Sequence, residues 1–342
     1  MRNFLRFGFI VALVCGAGVV GSVNPVEAHA GLKSSEPAAS SVLEQSPEEI
    51  VLKFAEQVEI SFGSIRLFDA NSKLITLSTP NYGFTDDVVD AKTVRVGVPA
   101  LEPGSYLVVW RVVSVDSHPV QGAFGFQIGA RGKNLAALGV EVLSNSSASN
   151  FVKVVMGFAR WLSFLGVMVL IGSVLLATRI IGQSRIETVV KSSWFVAVVG
   201  SATVLVMQAP YALGSSLSDS VSVTSVRQVL ETRLGAWLTI RAVILLLFLL
   251  IIWKRDLHQK PLWRMTTTIL SIVLFATFSI SGHPGMRQFS SLSIGTDIVH
   301  FLSVAVWMGG LVTIVLLGQK WQSESPKVIA WFSFNATIAM PI

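Results

Sequence analysis

The alternation of apolar and polar positions changes character along the chain. Between residues 29 and 130 the apolar positions come in short β-rich runs, at Ile50–Phe54, Ser64–Phe68, Leu74–Leu77, Thr93–Val98, Ser105–Ser114 and Ala123–Ile128. Turn-forming residues separate them: Ser46-Pro47, Asp69–Ser72, Thr79–Gly83 and Pro103-Gly104. Each run predicts a strand, and six or seven short strands in about a hundred residues suit a two-sheet sandwich. The segment Tyr106–Ser114 is apolar almost throughout, which predicts a central strand rather than an edge. Residues 131–150, ending in the serine- and asparagine-rich stretch Asn145–Asn150, read as a linker.

From residue 151 the period lengthens. Apolar runs near Val152–Ala177, Ser193–Leu213, Gly235–Trp253, Met265–Ser281 and Ile298–Leu317 are each close to the roughly 20 residues a helix needs to cross a bilayer. A sixth begins near Val328 and is still apolar at Ile342, so 151–342 is expected to be part of a longer membrane domain. At the other end, Arg2 and Arg6 precede an apolar stretch, Phe7–Val20, and Val26-Glu27-Ala28 has the small residues of a signal-peptidase site. The reading is a signal peptide over 1–28, with His29 as the new N-terminus after cleavage.

Composition agrees with this division. Of 342 residues 52% are hydrophobic and only 13% charged, which excludes an ordinary cytosolic enzyme. The formal net charge of +6 raises the possibility of a nucleic-acid partner, but its distribution removes that support. Residues 29–150 carry nine basic and thirteen acidic side chains, whereas 151–342 carry fifteen and six. With the N-terminal domain exported, the breaks at 179–192, 254–264 and 319–327 would be cytoplasmic and hold nine Lys and Arg, against three in the external breaks. That is the asymmetry of the positive-inside rule.

The candidate chemistry rests on a short list of residues. Cys15, the only cysteine, lies in the leader, so disulfides and thiolate metal sites are excluded from the cleaved chain. Five histidines remain: His29, His118, His258, His283 and His300. As an N-terminal residue His29 would offer an α-amine and an imidazole able to close a chelate ring on a square-planar metal, the geometry Cu(II) favours. Asp116 and His118, two residues apart, point to the same side of an extended chain, and Pro119 biases His118 toward that conformation. An amine, two imidazoles and a carboxylate would make an N3O set for Cu(II). The bland alternative is a capped turn with a solvated histidine.

The residues His29-Ala30, Leu32, Ser35-Glu36-Pro37, Val51–Glu56 and, above all, Trp110-Arg111 through His118-Pro119-Val120-Gln121-Gly122 resemble the periplasmic copper-binding CopC family. The resemblance implies a Greek-key sandwich, immunoglobulin- or cupredoxin-like, that holds Cu(II) through His29, Asp116 and His118. Some members add a methionine-rich Cu(I) site, but no methionine occurs here between His29 and Val155, so a Cu(II) site alone is expected.

In the apolar half, His258 falls in a basic loop and reads as solvated. His283, in Ser-Gly-His-Pro-Gly, falls at the outer end of the fourth span, and His300 within the first turn of the fifth. Ionisable groups at membrane depth are costly and are functional candidates by default. Met156, Met207 and Met286 are candidate soft ligands for Cu(I), with ordinary packing as the alternative. The Ser-Gly-His element, His300 to Trp307-Met308-Gly309-Gly310, and Thr232–Trp237 with Arg241 resemble the CopD copper-resistance membrane family. Together the resemblances imply a non-enzymatic protein that captures Cu(II) outside the membrane and passes copper inward by a relay of His283 and His300. Its expected partners are copper ions, the lipid bilayer and a copper chaperone or reductase, without nucleic acid. The alternatives are resistance or storage without import, an oxygen-activating copper enzyme, a haem-binding electron-transfer bundle and an anchored adhesion module.

Overall fold

The computed structural model describes residues 31–85, 88–114, 117–129, 132, 135–145, 148–177, 183–214, 216–218, 221–253, 261–282, 290–317 and 325–339. The leader, His29, Asp116, His258, His283 and Met286 lie outside the described residues. The N-terminal part is a β-sandwich, and the rest is helical.

One sheet takes the order β1 (Leu32–Glu36), β3 (Glu49–Phe54), β7 (Val88–Gly97), β6 (Asn81–Thr85). The other takes the order β2 (Val42–Leu43), β9 (Pro119–Ile128), β8 (Gly104–Ser114), β4 (Val58–Asp69), β5 (Leu74–Ile75). Among the described residues only β2 pairs in parallel, with β9. The runs at 50, 64, 74, 93, 105 and 123 are all strands. Three strands escape the apolar pattern, β1, β2 and β6, because they are short or edge strands that need bury only one face.

Strand β8 is buried along almost its whole length, and alternation explains how. Tyr106, Val108, Trp110 and Val112 point between the sheets into a core with Ile50, Leu52, Phe54 and Phe126. Trp110 meets Phe54 edge-on at 5.2 Å and lies over Gly122, its cross-strand partner, where a side chain would collide with the indole. The opposite face of β8 is covered in two ways. Leu107 and Val109 pack under Leu135, Leu138 and Val142, on and just before the helix α1 (Ala136–Asn145). Val113 packs against Ala209, Ala212 and Val229 of the helical part. Residues 131–150 therefore contain a helix docked on the sheet where the sequence suggests a linker. Its apolar residues serve to cover β8.

The helices follow in order: α2 (Asn150–Leu176), α3 (Gln183–Leu213), the short α4 (Val223–Leu230), α5 (Arg233–Trp253) and α6 (Pro261–Ser281). They are followed by α7 (Ser290–Val304), which runs through a π turn (Ala305–Gly309) into α8 (Gly310–Leu317), and then by α9 (Ser325–Ala339). Among the described residues, five helices are long and apolar enough to cross a membrane, with α7, the π turn and α8 counting as one. Ser149 caps α2, its hydroxyl accepting from the Val152 N–H. The fifth span starts at Ser290 rather than near Ile298, since the polar Ser290–Asp297 segment continues the same helix. His300 thus stands about 15 Å along the helix instead of in its first turn.

Glycines let the first span approach its neighbours. A Cβ at Gly166 or Gly200 would strike the facing backbone across the α2–α3 contact, and one at Gly172 would overlap the Ala305 carbonyl of the π turn. Beside that contact Ser173 and Thr313 share a hydrogen bond of 2.8 Å in the buried interior. Such close approach with hydroxyl pairs is the way helices associate where lipid removes the hydrophobic drive.

Candidate metal centre

Strands β8 and β9 form a hairpin whose last register pair is Val113 with Pro119. The turn is tied by Ser117 N–H to Ser114 O at 2.8 Å and Ser114 N–H to His118 O at 2.9 Å. Ser117 sits at φ +72°, in the left-handed region. This short, tied turn holds His118 at the tip of the buried strand, where it meets the helical part.

The sandwich grips that part through unpaired helix ends. Helix α3 stops at Gly214, at φ +68°, whose N–H bonds to Pro210 O. The last-turn carbonyls have no donor within their own helix. Buried Arg111 of β8 supplies one: Nε donates to Ala212 O at 2.5 Å and Nη2 to Tyr211 O at 3.1 Å, while Nη1 is held by Gln121 Oε1 at 3.0 Å. Burial, then the Arg66 charge, pulls the Arg111 guanidinium down to about 10, so it stays charged at neutral pH and complements the negative end of the α3 dipole. Glu59 of β4 does the converse at the start of α5, accepting from the Arg233 N–H at 3.0 Å. Burial raises the Glu59 carboxyl, partly offset by that N–H and the Arg233 charge. A cation of the sandwich thus serves a helix C-terminus, and an anion serves an N-terminus.

Replacing Arg111 with methionine removes both interdomain bonds and is expected to weaken docking by about 2–3 kcal/mol. Hydrogen exchange on the detergent-solubilised chain checks it. Amides of Ser114–His118 should exchange faster, while those of β3 and β7 should not change.

Beneath the hairpin is a cavity of about 420 Å³ lined by Ser117 and His118 of the sandwich, Arg160 and Trp161 of α2, Arg241 of α5 and Phe278 of α6, among others. Arg160 Nη1 lies 3.1 Å from His118 Nε2, and its Nη2 donates to Ser117 O at 3.4 Å. Gln208 Nε2 of α3 reaches the same carbonyl at 3.4 Å. Arg241 is buried, donates to Thr277 Oγ1 and Thr277 O, and lies 3.5 Å over the Phe278 ring.

Of the expected ligands, His118 faces this cavity. Met156 and Met207 pack together with Val204 and Leu234, both of which also line the cavity. Gly282, directly before His283, lines it too. His300 does not: it is exposed on α7, and the neighbouring Phe301 points inward onto Phe164 and Phe275. Among the described residues no three His, Cys, Asp or Glu side chains stand together. Two of the three expected Cu(II) ligands fall outside those residues. Arg241 enters the sequence argument only through the CopD resemblance and Arg160 not at all, although a charge inside an apolar span is itself a signal that points to both.

Residues 32–129 match the CopC domain, and residues 151–291 match the copper resistance protein D-like N-terminal domain. The copper transport protein CutJ of Bacillus subtilis is 25% identical over 316 residues, 89% of this chain, which spans 56% of CutJ. Copper resistance protein C of Escherichia coli is 32% identical over 120 residues and is 94% covered by 34% of this chain. The crystal structure of CopC from Methylosinus trichosporium OB3b aligns over 99% of its length and 31% of this chain, at 29% identity and a TM-score of 0.26.

These matches define a copper-handling class, a β-sandwich joined to helices long and apolar enough to cross a membrane. The chain belongs to the CopC–CopD copper-resistance family.

Proposed function

We propose that this protein captures Cu(II) on the extracytoplasmic side, through His29, Asp116 and His118, and passes copper through the helical part toward the cytoplasm. The observation that carries this reading is the docking of the His118 hairpin over a cavity at the ends of four membrane helices. The sandwich touches the C-terminal end of α3 and the N-terminal end of α5, the ends that are extracytoplasmic in this reading, which the charge asymmetry of the loops supports. A storage protein has no need of a ligand hairpin built onto a multi-span bundle. Met156 and Met207, beside the cavity, offer soft donors for Cu(I) once a partner reductase has delivered one electron to the ion, with His283 next along the chain from Gly282. An adhesion module would require only an anchor.

Two measurements test it. Electron paramagnetic resonance of the copper-loaded chain should give an axial Cu(II) signal with nitrogen hyperfine structure, lost when one residue is added before His29. Cells lacking the protein should accumulate less copper than cells carrying it. Greater accumulation would mean that copper moves outward.

A further inference from the structure

The contact between Arg160 and His118 bears directly on how copper leaves the sandwich. A guanidinium has five N–H donors and no acceptor, so His118 Nε2, 3.1 Å from Arg160 Nη1, is the acceptor. In the neutral ring with Nε2 accepting, the proton resides on Nδ1. A ring nitrogen has one in-plane lone pair, which either accepts a hydrogen bond or binds a metal. In the docked arrangement, then, the Nε2 lone pair is engaged by Arg160 and Nδ1 carries hydrogen, so the imidazole presents no free electron pair to copper.

Everything around this contact holds it in place. Arg160 also grips Ser117 O at 3.4 Å, Gln208 reaches the same oxygen, and the guanidinium lies 5.3 Å over the Tyr211 ring. Tyr211 in turn offers its carbonyl to Arg111. Docking by Arg111 and Glu59 therefore delivers His118 to Arg160, and the cavity lies directly beneath.

We propose that Arg160 is the residue that releases copper: it competes with the metal for Nε2 of His118, so that docking of the hairpin on the bundle lowers the sandwich's hold on its cargo and discharges it into the cavity. No covalent or redox step is involved. One neutral imidazole exchanges a metal bond for a hydrogen bond, and the copper ion, held by one ligand fewer, passes from the sandwich to other donors. The inference rests on the reading of His118 as a copper ligand.

The test is a Cu(II) titration of the full chain in lipid nanodiscs against a competing chelator, with wild type, Arg160→Met, His118→Ala and the double variant. Arg160→Met should bind Cu(II) about tenfold more tightly, the weight of one hydrogen bond to a charged group. In the His118→Ala background the same change should have no effect. Arg160→Gln should shift affinity in the same direction and serves if Arg160→Met does not fold. Unchanged or weaker binding in these variants overturns the proposal. So does a gain of equal size without His118, which would mark a general effect of the positive charge. If His118→Ala alone leaves affinity untouched, the assignment of His118 as a ligand fails instead.

Discussion

Replacing His118 with alanine is expected to lower the Cu(II) affinity of the full chain more than about a hundredfold. Loss of a group that only supports a metal ligand already costs 10–100-fold, and His118 is read as a ligand itself. The fold should survive. The His118 side chain lies at the hairpin tip, whereas the sandwich core is built from Trp110, Phe54, Phe126 and their neighbours. The hairpin turn is tied by backbone bonds that alanine keeps. Competition with a chelator of known affinity would measure the loss, and the nitrogen hyperfine pattern should simplify with it. Retained affinity together with an unchanged spectrum would show that the copper site uses other residues.

The second large effect concerns the bundle. Leucine at Gly172 is expected to destabilise the chain by upwards of about 3 kcal/mol. Its Cβ alone would overlap the Ala305 carbonyl and lie 2.8 Å from the Gly309 backbone, and neither obstacle can rotate away. The π turn would be pushed off α2, and the Ser173–Thr313 bond would break with it. Gly157 is the internal control. It is on the same helix, but its Cβ would meet nothing within 4 Å, so Gly157→Leu should stay within about 0.5 kcal/mol of wild type. The thermal midpoint of each purified variant and its yield of monodisperse protein separate the two.

Much of the architecture was readable from residue pattern. Three of the five spans begin and end within a few residues of the apolar runs that predict them, because a helix must be apolar over a bilayer's thickness. Helix α3 instead begins at Gln183, well before the run at Ser193, since its first turns carry Arg185, Glu187 and Lys191. Strand β8 was recognised as central because both of its faces are apolar. What covers the outer face could not be read, since α1 is short and its sequence, Ala136–Asn145, lies among the small and polar residues of a linker. The fifth span was read as beginning late for a related reason: Ser290–Asp297 is polar enough to resemble a loop, yet it continues the helix below it. At the candidate site the histidine rule found His118. Applied equally to arginine, it would have found Arg160 and Arg241.

By itself the sequence determined the two-part architecture, the central strand β8 and the place of His118 just beyond its end. Those properties depend on local periodicity, on turn residues and on which atoms each side chain carries. Only the tertiary structure decided that Arg111 and Glu59 complete helix ends of the other domain, that α1 covers β8, and that Arg160 meets His118. The partners in these contacts are far apart in sequence, 42 residues for Arg160 and His118 and 174 for Glu59 and Arg233. Unpaired carbonyls and N–H groups at helix ends demand partners wherever they are buried. No pattern of neighbouring residues says which distant side chain will supply them.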